Sequence, residues 1–173
     1  MTDIREQLSP DLKRLYEYWS ALCAGRPMPA HKDIDVTQIP FGYLPDLMLI
    51  DVLHEPRRRY RYRLIGTNVA TASGKDRTGR FFDDVSFFKM NPAVMDQYDT
   101  VVDTGQPLYS LEPFTNFRNG TKYEADRLVL PLSGDGRRVD MLIVQFQFKC
   151  GPFARRLSAS RLPQRPNHAS TSW

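Results

Sequence analysis

Residues 55–72 read EPRRRYRYRLIGTNVATA, and the fold is decided there. From Arg59 to Leu64 the residues alternate, with Arg59, Arg61 and Arg63 on one side and Tyr60, Tyr62 and Leu64 on the other. A strand sends successive side chains to opposite faces. The pattern therefore predicts a half-buried strand with a charged ladder and an aromatic face. Ile65-Gly66-Thr67-Asn68 breaks the alternation and leads into a short helical turn, Val69 to Ala72. A strand that ends in glycine and folds into a short helix across its own sheet begins to wall off a cavity.

Working outward, residues 46–54 (DLMLIDVLH) are nearly all apolar, which predicts a strand that is central or covered on both faces. With the Glu55-Pro56-Arg57 turn the two strands make a hairpin. Downstream, Ser73-Gly74 and Thr78-Gly79 are chain reversals. The aromatic pair Phe81-Phe82 then leads to Asp83-Asp84, whose carboxylates suit a helix cap better than paired catalysis. Residues 92–103 carry a helical stripe of Val94, Met95, Tyr98, Val101 and Val102, closed by Gly105. Strands follow at 107–114, 122–132 and 138–148, separated by Asn119-Gly120 and Ser133-Gly134-Asp135-Gly136, and form a meander.

Upstream, Leu8, Leu12, Leu15, Tyr16, Trp19, Leu22 and Cys23 recur at spacings of three and four. They form one apolar stripe on a helix, started by Ser9-Pro10-Asp11 and stopped near Gly25. The stripe fits either its own sheet or a second copy of the chain. A connector with four prolines (26–45) carries the chain to the sheet. The expected architecture is α+β, a five-stranded antiparallel sheet with helices on one face, preceded by an N-terminal amphipathic helix. Residues 1–45 are the helix and connector, 46–150 the sheet domain and 151–173 a disordered basic tail.

Composition limits the function. The 173 residues include 24 basic and 20 acidic side chains. Four arginines (Arg155, Arg156, Arg161, Arg165) and no acid lie beyond Cys150, so the folded part is neutral. That disfavours a nucleic-acid partner. No run of eighteen apolar residues exists, and the start is not a signal peptide, so the expected location is the cytoplasm with no membrane span. Cys23 and Cys150 make no metal-ligand spacing. No GxSxG, phosphate-cradling loop or HExxH is present, and no enzyme activity is expected.

Order and residues together resemble the PAS sensor superfamily, in particular the compact PAS_5 type common in alphaproteobacteria. The resemblance is carried by Tyr18-Trp19, Gly25-Arg26 and Pro29; by Asp33-Ile34-Asp35 and Leu44-Pro45; and by Tyr62-Arg63-Leu64-Ile65-Gly66-Thr67. Gly74, Thr78-Gly79, Gly105-Gln106-Pro107, Leu130-Pro131-Leu132-Ser133 and Asp135-Gly136 complete it, over about residues 12–148. The resemblance implies a small molecule or a partner protein bound between sheet and long helix, with no shared ligand and no shared catalytic residue. It also implies a homodimer through the flanking helix (Leu12, Leu15, Tyr16, Trp19, Leu22) and output through a signalling partner.

The candidate pocket is Tyr60, Tyr62, Phe81, Phe82, Met95 and Tyr98, either open to a ligand or filled by its own side chains as core. Arg59, Arg61 and Arg63 make a candidate anion site; the alternative is that they pair across the sheet with Glu124 and Asp126. Haem-binding relatives commonly take a histidine from the long helix, and 92–103 has none; His31, His54 and His168 lie elsewhere. Flavin photosensors carry a cysteine near the start of that helix, and Cys23 and Cys150 are misplaced for it. Haem, flavin and metal are therefore disfavoured.

Overall fold

The computed structural model describes residues 3–35, 39, 41–116 and 118–149. The tail 151–173, read above as disordered, and Cys150 lie outside the described residues. The chain runs through α1 (Ile4–Gln7), α2 (Pro10–Cys23), β1 (Leu47–Leu53), β2 (Arg59–Ile65), α3 (Thr67–Ser73), α4 (Ser86–Met90), α5 (Pro92–Thr104), β3 (Leu108–Thr115), β4 (Lys122–Leu132) and β5 (Met141–Phe148). Three 3-10 turns, His31–Asp33, Phe41–Asp46 and Phe82–Asp84, fill the connections.

The strands form one antiparallel sheet in the order β2-β1-β5-β4-β3. The central strands β1, β5 and β4 are buried along nearly their whole length, so both faces are covered. The inner face carries Tyr60, Tyr62, Ile50, Val144, Phe146 and Arg127, under α3, α4 and α5. The outer face carries Leu49, Ile143, Gln145, Gln147 and Leu128, beneath α2.

The question the apolar stripe left open is answered by α2 itself, which packs on its own sheet. Leu12 and Leu15 are each 1% exposed and Trp19 5%. The Trp19 indole Nε1 donates to the Pro131 carbonyl at 2.8 Å, and the Ser9 hydroxyl, which caps the helix, donates to Gln147. Burying one such leucine stabilises the fold by about 2 kcal/mol. Tyr16 and Leu22 are half-buried at the margins of this contact.

The deciding strand behaves as expected up to Tyr62 and then departs. Tyr60 is 2% and Tyr62 7% exposed, but Leu64, expected on the same face, is 41% exposed. The cause is a register shift opposite Leu49 and Ile50: Ile50 pairs with Tyr62 and Leu49 with Leu64, so Arg63 is an extra residue. A bulge flips the residues beyond it to the other face. Gly66 then lets the chain turn beneath the connector, because a Cβ there would lie 2.4 Å from the carbonyl oxygens of Leu44 and Pro45.

Strand β5 starts three residues later than expected. Asp135 accepts hydrogen bonds from the Arg137 and Arg138 amides at 2.8 and 2.9 Å, which winds those residues into the turn.

Candidate functional site

Five rings meet between the inner face and α5. Strand alternation points Tyr60 and Tyr62 inward, while Val94, Tyr98, Val101 and Val102 form the buried stripe of α5. Phe82, on its 3-10 turn, is fully buried and stands at the centre. Its ring lies 4.1 Å from Phe88 with the planes 4° apart, 4.6 Å from Tyr62, and 5.4 Å from both Tyr60 and Tyr98. Such pairs add about 0.5–1.5 kcal/mol each beyond the area they bury.

A polar strap ties the cluster to α5. The Tyr60 hydroxyl donates to Asp99 Oδ1 at 2.6 Å. Arg58 donates to the same oxygen at 3.0 Å and to Asp103 at 2.5 Å. Burial first, then donation to Asp99, pushes the Tyr60 phenol well above its usual value. Burial does the same to Tyr62. The hydrogen bond from Arg58 holds the Asp103 carboxyl below its usual range. From the other side, Arg127 on β4 lies over the Tyr98 ring at 5.1 Å and donates to Ser110 and Gln97.

Of the candidate pocket residues, Tyr60, Tyr62, Phe82 and Tyr98 are brought together. Met95 is half-buried at the rim of an open hollow of about 370 Å³, which Arg57, Phe82, Asp83 and Phe88 also line. Phe81 goes elsewhere: it bridges to Arg61 along the edge of β2 and sits 3.7 Å beneath the Arg59 guanidinium.

The arginine ladder has partners other than Glu124 and Asp126. Strand β2 is an edge whose neighbour is β1, so β4 lies three strand spacings away, about 14 Å. Arg61 and Arg63 instead share Asp51, at 2.7 and 3.2 Å. Arg59 binds Asp83 at 2.7 Å, and Arg57 reaches the same oxygen at 3.1 Å. Asp126 takes Lys149 and the Tyr109 hydroxyl. Asp83 is thus an ion-pair partner more than a cap.

Sequence reasoning missed Phe88 and Asp99. Asp99 and Asp103 stand one helical turn apart, a spacing that places both on one face of α5; that was the available signal. Cys23 lies on α2, across the sheet from the ring cluster. Among the described residues no three His, Cys, Asp or Glu side chains are grouped to hold a metal, and no helix is long and apolar enough to cross a membrane.

The sequence model of the PAS domain family, type PAS_5, matches residues 8–143. The chain belongs to the PAS domain family. Solved structures similar to this PAS domain include the Rhodobacter sphaeroides LOV protein, 14% identical with a TM-score of 0.46 over 66% of this chain and 68% of that one. A fungal LOV domain photoreceptor is 17% identical with a TM-score of 0.48, over 77% and 90%. An RNA-binding light-oxygen-voltage receptor is 13% identical with a TM-score of 0.48, over 70% of this chain but 35% of that one. Likeness at this level says nothing about what this PAS domain binds. No curated protein matches the sequence.

Proposed function

We propose that this PAS domain is a non-enzymatic, cytoplasmic sensory regulator acting through protein–protein contacts, with a ring-filled interior that serves as core and not as a cofactor chamber. The position of Phe82 carries the reading. Fully buried and in ring contact with Tyr60, Tyr62, Phe88 and Tyr98, it occupies the space between sheet and α5 where a buried ligand would sit. Native mass spectrometry of the purified chain is expected to give the polypeptide mass alone. A small molecule retained at one per chain would overturn the filled interior.

The contact surface in this reading is the outer face beside α2, and its partner is a second copy of the chain. Leu64 and Leu111, 41% and 53% exposed, are the large exposed hydrophobics among the described residues. The strand registers place both on the outer face, at its two edges, with half-buried Tyr16 and Leu22 on the helix between. Exposed large apolar side chains at both edges of one face, with half-buried rings and aliphatics between, make that face the candidate contact surface. Sedimentation of the wild type is expected to show a dimer, and the double variant Leu64→Asp, Leu111→Asp a folded monomer. A wild type that stays monomeric at high micromolar concentration overturns the self-association.

A further inference from the structure

We propose that the open hollow of about 370 Å³ beside the ring cluster binds a small aromatic carboxylate. The proposal rests on the reading of this chain as a sensory module and names the chemistry of its input. The volume lies in the range of small-molecule sites. Its floor is apolar: the edge of Phe88 that remains exposed, backed by the buried Phe82 ring, with Met95 beside it. The Phe88 ring offers a further ring an offset or edge-on partner.

The rim supplies the charge. Two arginines share one oxygen of Asp83, and they are held differently. Arg59 donates its Nε at 2.7 Å and is pinned over the Phe81 ring at 3.7 Å, with a side chain 30% exposed. Arg57 makes one contact at 3.1 Å and is 72% exposed. The Asp83 charge is met by Arg59, so Arg57 is the surplus cation, with most of its N–H fork unoccupied by described residues. A guanidinium fork accommodates both oxygens of a carboxylate. An aryl acid seated on the rings with its carboxylate at Arg57 leaves two balanced pairs, Arg59–Asp83 and Arg57–ligand.

The test is isothermal titration of the full chain with 2-naphthoate and phenylacetate, their neutral amides, and hexanoate. The aryl acids are expected to bind at least tenfold more tightly than the amides and than hexanoate. In Arg57→Gln that preference for acid over amide disappears, and in Arg57→Lys part of it returns. Because Arg57 is largely exposed, both variants keep the wild-type melting temperature, so lost binding is not lost folding. Equal binding of acid and amide, unchanged binding by Arg57→Gln, or hexanoate binding as well as the aryl acids would each overturn the proposal. Absence of binding with the dimer intact overturns the ligand alone. Absence of both removes the sensory reading with it.

Discussion

The two faces of the sheet exclude water by different means. On the inner face, five rings on four separate elements lock together around Phe82, and a tyrosine–aspartate–arginine strap fastens them to α5. On the outer face a single helix lays Leu12, Leu15 and Trp19 across β4 and β5, pegged by two hydrogen bonds. The inner packing is assembled from segments far apart in the chain; the outer packing is led by one continuous amphipathic stripe, with Tyr43 of the Phe41–Asp46 turn beside it. That contrast teaches where stability and responsiveness should separate. A stripe can be undocked as a unit, whereas the ring cluster fails at its centre.

Removing the centre is the harshest way to test the contrast. Phe82→Ala deletes a fully buried ring with four ring neighbours and is expected to cost about 5 kcal/mol, the upper end for such truncations. Trp19→Ala, on a single helix at the sheet surface and still 5% exposed, is expected to cost about 3 kcal/mol. Urea denaturation of both variants at two protein concentrations measures this. A Trp19→Ala loss that grows on dilution would mean that the indole seals a dimer more than its own sheet, and the contrast would fail.

The two faces also differed in how much of them was legible. The helix of the outer face was visible as a 3.6-residue period, because it carries all its information in consecutive sequence, but whether its stripe docks on its own sheet or on a second copy was not. The hairpin and the meander needed only local turns and alternation, whereas the β1–β5 pairing that joins them into one sheet is carried by neither. The features that were lost depend on pairing across the sheet. Nothing in RYRYRLI marks Arg63 as the bulged residue, since the shift is imposed by β1, so Leu64 was placed on the wrong face. Likewise the partners of Arg59, Arg61 and Arg63 depend on β2 being an edge beside β1, and Asp51 is hidden inside an otherwise apolar strand. Phe82 could be named as a pocket residue, but whether it lines a pocket or fills it depends on Phe88, which comes from another segment.

The strap sharpens the comparison at lower cost. Tyr60→Phe keeps the ring and removes its donor to Asp99, which retains Arg58. Because the acceptor stays partnered, the expected loss is about 1–2 kcal/mol, that of one hydrogen bond to a charged group. Amide exchange should locate it, with faster exchange in α5 and unchanged exchange in α2. Uniform acceleration in both would mean that the strap is not specific to the inner face.

The smallest effect is a titration. An unfolded tyrosine ionises near pH 10. On the outer face, burial pushes Tyr43 and Tyr109 up to about 12, with Asp11 and Asp126 as the nearby acids adding to it. On the inner face Tyr60 and Tyr62 are pushed further up. A folded-state value above the unfolded one means that the native chain holds the proton. The contribution is therefore complete below about pH 10 and lost as pH rises through the folded value. The outer tyrosines lose theirs between about pH 10 and 12, while the inner ones still favour the folded chain. Phenolate absorbance should then show Tyr43 and Tyr109 ionising in a chain whose circular dichroism is intact. Tyr60 and Tyr62 should ionise only in the step where that signal collapses. If Tyr62→Phe leaves the number of phenolates formed in that last step unchanged, the inner rings are in contact with solvent and the two faces do not differ in kind.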